Sequence, residues 1–182
     1  MNLEALMARP ARSTRPADAP LEGRTLDDLL ALSPEHLAAL YASASVPQLD
    51  QVTGDLRGRM LAWPSLPRGP VAALLRRWAA SSRFPWRGKS FTAGDERGEG
   101  INRVLLDRFR LYRFETFVGR SRAGDFDAVQ LDYDRPSNPF FIRPIRDEIR
   151  ELSPGLYLGQ AWLEIGSRPP ALVLYFGLTA GG

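Results

Sequence analysis

FDAVQLDYDRPSNPFFIRPIRDEIRELSPGLYLGQAWLEI, residues 126–165, decides the fold. In an extended chain Val129, Leu131 and Tyr133 fall on one face, and Phe126, Ala128, Gln130 and Asp132 on the other. From Leu156 to Ile165 the pattern returns, with Leu156, Leu158, Gln160, Trp162 and Glu164 opposite Tyr157, Ala161, Leu163 and Ile165. Both faces of both strands are largely apolar, and one face of each carries a few polar groups. A sheet closed around a cavity has this character, because its outside needs covering while its inside holds a ligand or water. A packed sheet with polar residues near its strand ends has it too. Between the strands, Ile142, Ile145, Ile149 and Leu152 recur at helical spacing and predict a helix over 144–152, stopped by Pro154-Gly155. Arg143 with Asp147, and Asp147 with Arg150, are then expected to pair along its wet face.

Working outward, a length of 182 residues predicts one domain, large enough for a core without metal or disulfide staples. Residues 1–24, rich in Ala, Arg and Pro and without hydrophobic period, are expected to be a mobile tail; residues 25–182 form the domain. There is no cysteine, and His36 is the only histidine. That argues against disulfides, thiolate sites, Ser-His triads and histidine-rich metal sites, so neither metal nor cofactor is expected. No stretch is apolar enough for a signal peptide or a bilayer span, and the cytoplasm is the default compartment. Of the 24 basic residues only Lys89 is a lysine, and no block of the chain is strongly basic. The charge balance therefore gives little reason to expect a nucleic-acid partner.

TLDDLLALSPEHLAALYASA (25–44) predicts two helices, capped by Thr25 and by Ser33 ahead of Pro34. Their leucine stripes must pack on the outside or the open end of a barrel. GDLRGRMLAWPSLP (54–67) reads as a first strand and RGPVAALLRRWAAS (68–81) as a helix with Val71, Leu74, Leu75 and Trp78 on one face. FPWRGKSF (84–91) leads to a glycine-rich loop and a long strand region from Ile101 to Val118, whose parity breaks unless a bulge lies near Leu111–Tyr112. A turn over 120–124 and a last strand at 171–178 complete the chain. The expected architecture is α+β: two N-terminal helices, then a mainly antiparallel curved or closed sheet of seven to nine strands, with short helices between strands.

Trp86-Arg87-Gly88-Lys89, just ahead of a strand, resembles the WXG part of the GXWXG signature of small uncharacterised proteins, and more loosely the Gly-x-Trp opening of lipocalins. GDLRGRML upstream and YLG before the last strand are similar in order. Phe84 stands where the first glycine of the signature belongs. The resemblance spans about the last hundred residues. It implies a lipocalin-like small barrel with Trp86 at one end, and carries no activity.

If the cavity face is the one bearing Phe126, Ala128, Gln130 and Asp132, burial disfavours the charged form of Asp132 and makes it a candidate general acid or base. Tyr133 points the other way by parity. Gln160 and Glu164 on the neighbouring strand are candidates to join Asp132, with Arg143 and Arg146 placed to fix a carboxylate bidentately. Trp86, Tyr112, Phe114, Phe126, Gln130 and Trp162 complete the expected ligand-binding set. The acids in GDERGEG would repel an anion, so no phosphate loop is expected, and no GXSXG motif occurs. These features predict binding of a small apolar or amphipathic molecule in a barrel cavity. The alternatives are a cofactor-free acid–base enzyme, an isomerase, cyclase or hydratase with Asp132 or Glu164 carrying the proton, and a module that displays its helices to a protein partner.

Overall fold

Eight strands follow one another around a closed barrel, each antiparallel to the next, with the last paired to the first. They are β1 (Gly54–Ala62), β2 (Trp86–Thr92), β3 (Gly98–Val104), β4 (Phe109–Arg120), β5 (Asp127–Asp132), β6 (Ile145–Ser153), β7 (Leu156–Leu163) and β8 (Ala171–Ala180). Helices α1 (Leu26–Leu30) and α2 (Pro34–Ser43) precede them, and α3 (Pro70–Ala79) joins β1 to β2. This computed structural model describes residues 23–64, 69–79, 81, 84–105 and 107–180; the expected tail, apart from Gly23 and Arg24, lies outside them. Arg24, assigned to that tail by composition, is buried.

Two apolar layers form because the strands bury both faces. Inside the barrel pack Leu56, Phe91, Phe114, Val129, Leu131, Ile149 and Phe176. Outside it, Leu29, Leu37 and Tyr41 of the helices cover Leu61, Leu152, Leu156, Leu158 and Tyr175. The helices start where the sequence says they should. The Thr25 hydroxyl accepts from Asp28 N, while Asp28 Oδ2 accepts from Thr25 N at 2.8 Å; Ser33 caps α2 ahead of Pro34.

The segment read as a helix over 144–152 is strand β6. Its backbone pairs with β5 on one side and β7 on the other, and two ladders outweigh a local helical period. Ile145 and Ile149 point inward while Leu152 joins the outer layer, so the supposed apolar stripe is split between the two sides of the sheet. The expected pairs along that helix are absent among the described residues: Arg143 meets Asp134, Arg150 donates to the carbonyls of Ala44 and Asp127, and Asp147 faces into the barrel. The expected long strand region over 101–118 is two strands, β3 ending at Val104 and β4 starting at Phe109, with Leu105 and Asp107 between them at positive φ. The bulge is where parity placed it. The β3–β4 register skips Tyr112, whose φ is 61°.

Candidate functional site

Strand β2 opens with an irregularity between Trp86 and Gly88, and Gly88 has φ of 132°. A Cβ there would lie 2.0 Å from the Leu56 carbonyl oxygen, so only glycine fits. After that step the register sets Lys89 beside Asn102, Leu131 beside Asp147, and Lys89 two positions before Phe91 of the inner core. The chain's only lysine is thereby inside the barrel.

Three polar side chains from three strands or their ends meet at its Nζ. It donates to Asn102 Oδ1 at 2.9 Å, to Tyr133 Oη at 2.5 Å and to Asp147 Oδ2 at 2.8 Å. Tyr133 donates its hydroxyl to the same Asp147 oxygen at 3.0 Å. Asn102 donates to Tyr133 Oη and to the Tyr112 carbonyl, and Trp86 Nε1 donates to Asn102 Oδ1. The Lys89 side chain is 3% exposed and that of Asp147 7%. The rings of Trp86, Phe114, Tyr133 and Phe176 surround the ammonium with centroids 5.1 to 5.6 Å away. Burial pushes the Lys89 pKa down, against the pull of Asp147. Burial, with Asp147 next, pushes the Tyr133 phenol well above its usual value.

Asp147 Oδ1 is buried and has no hydrogen-bond partner among the described residues. Beside the cluster is a cavity of about 250 Å³, walled mainly by Met60, Val104, Ile142, Ile145, Val173 and Phe176, with Lys89, Asn102, Tyr133 and Asp147 as its polar members. A larger groove of about 510 Å³ lies on the outer wall, among Arg57, Arg59, Arg103, Asp27 and Asp107.

Of the residues singled out from sequence, Trp86 and Tyr112 line the inner cavity and Phe114 is buried beside Lys89. The others lie elsewhere. Asp132, expected to face the cavity, is on the outer surface, paired with Arg146 at 3.2 Å and accepting from Asp134 N. Arg143 is at the exterior on Asp134, and Phe126 packs on Tyr41 beneath the Arg150 guanidinium. Gln130, Gln160, Trp162 and Glu164 are on the outer side of β5 and β7, where three of them are drawn together by Glu148 and Arg122. Fully buried Glu148 accepts from Ser121, Arg122 N and Trp162 Nε1, while Arg122 donates to Gln130 and Glu164. That network satisfies its own members and closes the barrel wall. Lys89, Asn102 and Asp147 escaped the sequence reading. Only the lone lysine among arginines carried a signal.

Among the described residues no group of acidic or histidine side chains is arranged to hold a metal, and no helix is long and apolar enough to cross a membrane. No protein-family model matches the chain, and no curated protein matches it. Among solved structures it is similar to a protein from Thermomonospora curvata known from a crystal structure. The identity is 18% and the TM-score 0.49, over 83% of this chain and 89% of that one.

Proposed function

We propose that the chain binds a small, largely apolar molecule inside the barrel and holds its polar group against Asp147. The carrying observation is an apolar cavity whose polar cluster leaves one acceptor unpaired, Asp147 Oδ1. Every other polar atom of the cluster is accounted for. The three protons of a Lys89 ammonium go to three oxygens, and the Tyr133 proton goes to Asp147 Oδ2. The ligand's polar group is therefore a donor, a hydroxyl or an amine. A carboxylate would meet Asp147 and find the lysine already spent. The volume lies below the roughly 300–1,000 Å³ of drug-sized sites, which favours a small molecule.

Calorimetric titration with an alcohol, a hydrocarbon and a carboxylate of one compact carbon skeleton tests this reading. A matched buried donor contributes about 1–3 kcal/mol, so the alcohol should bind roughly ten- to a hundredfold tighter than the hydrocarbon. Tightest binding by the carboxylate would sink the proposal. A second reading, cofactor-free acid–base chemistry, draws support from the opposed shifts of Lys89 and Tyr133 around one carboxylate. In it Asp147 and Tyr133 take the proton-carrying part that the sequence suggested for Asp132 and Glu164.

A further inference from the structure

The two ends of the barrel differ in what they expose. Of the nine exposed large hydrophobic side chains among the described residues, seven belong to α3, to the β3–β4, β5–β6 and β7–β8 connections or to the first residue of β4, all joining strands at one end of the barrel, while Leu111 and Val118 lie within β4. Phe140 is 83% exposed and Phe141 58%, their rings edge to face at 5.5 Å on the β5–β6 connection. Leu105 and Ile165 stand on the neighbouring connections and Phe109 opens β4, each about half exposed, and Trp78 of α3 is likewise half exposed. This is also the cavity's end. Ile142, next to Phe141, and Ile145, Val104 and Val173, at the adjoining strand termini, line the cavity itself.

Charge follows the same axis. At the aromatic end the acids are already matched: Asp107 by Arg103 at 2.9 Å, Asp134 by Arg143 at 2.7 Å, Glu164 by Arg122 at 2.6 Å. The exposed side chains of Arg77, Arg108 and Arg168 have no ion-pair partner among the described residues, so the unpaired charge of the described residues there is positive. At the opposite end exposed Asp95 and Glu96 are without ion-pair partners on the same basis, and the surplus is negative. Aromatic side chains beside uncompensated arginines match the headgroup region of an anionic bilayer, which takes rings at its apolar boundary and guanidinium groups on its phosphates.

We infer that the barrel docks end-on to an anionic lipid surface, with Phe140, Phe141 and their neighbours inserted and the cavity mouth facing the bilayer. The docking surface stands on exposure and charge alone. That the ligand is drawn from the lipid rests on the cavity reading above.

Flotation of the full chain with phosphatidylcholine vesicles, with and without phosphatidylserine, tests the docking. Binding should require phosphatidylserine, weaken as salt screens the arginines, and fall at least tenfold in the double variant Phe140→Ser/Phe141→Ser. Arg108→Gln/Arg168→Gln should weaken it several-fold, and Val118→Ser should leave it unchanged. Equal flotation of the phenylalanine variant would overturn the inference. So would failure to float on either vesicle, or concentration-dependent dimers that the same two serines abolish, which would make this end a self-association face. A chain that floats yet takes up none of the small probes refutes the cavity reading and leaves docking standing. The substituted phenylalanines are exposed, and unchanged circular dichroism confirms that a lost signal is not lost folding.

Discussion

Lys89→Met keeps the apolar stem of the buried lysine and removes three N–H donors at once. Asp147 Oδ2 is then left with the Tyr133 hydroxyl, while Oδ1 has no partner among the described residues to begin with. Breaking a buried ion pair from one side costs about 3–5 kcal/mol, because the surviving charge stays desolvated. In a chain of this size each kcal/mol moves Tm by about 2–4 °C, so the melt should fall by about 6–20 °C. Asp147→Leu should cost a similar amount, leaving the ammonium with Asn102 and Tyr133 alone. The double variant decides the matter. Replacing both charges by apolar groups is often neutral or even stabilising, so it should be more stable than either single variant, with a coupling energy of about 3 kcal/mol or more. Urea unfolding followed by tryptophan emission gives the three values, and an unchanged m-value shows that the same surface unfolds. Two single losses below about 1 kcal/mol that simply add would mean that Lys89 is solvated, and the interior cluster described above would be wrong.

Alkaline pH should weaken the fold. Tyr41, Tyr133, Tyr157 and Tyr175 all have phenols raised by burial, so their contribution is complete below the unfolded value of about 10 and is lost as pH climbs above it. Lys89 acts with the opposite sign, since its lowered folded-state pKa adds stability as pH rises towards about 10.5. With four groups against one, the urea midpoint should drop between about pH 9.5 and 11; a rise would contradict the burial of the phenols. Asp132→Asn removes a partly exposed pair with Arg146 and should change stability by less than about 1 kcal/mol and leave ligand affinity unaltered. A large loss in calorimetry would return Asp132 to the site. Gly88→Ala forces a Cβ against the Leu56 carbonyl at positive φ and should cost more than about 2 kcal/mol in a thermal melt. A neutral result would mean that another step of β2 turns Lys89 inward.

Alternation along 126–134 and 156–165 was enough to read the strands and to suggest closure, because period two survives whatever covers each face. It was not enough to tell inside from outside. In this barrel the more polar face is the outer one. Gln130, Trp162 and Glu164 are legible as polar groups among apolar ones, but what satisfies them is Glu148 and Arg122, and Glu148 lies in the segment with helical spacing. The face that reads as plain core, Val129, Leu131 and Tyr133, is the one that meets Lys89. Local periodicity in β6 failed for a related reason. With partners on both edges, its isoleucines and carboxylates were free to sort by side of the sheet rather than by helical turn.

The identity of residue 89 follows from counting donors in that interior. A guanidinium brings five N–H groups in a rigid fork, whereas an ammonium brings three on a compact head. The barrel offers three oxygens around Nζ, and aromatic rings fill the remaining directions. An arginine there would bring five N–H groups to four oxygens, the three around Nζ and Asp147 Oδ1, in a space bounded by Phe114 and Phe176. A chain that uses arginine at every other basic position therefore turns to lysine where the surroundings cannot satisfy a guanidinium. Closing that count on the lysine leaves Asp147 Oδ1 as the cluster's remaining polarity, the one acceptor that the ligand proposed above would meet.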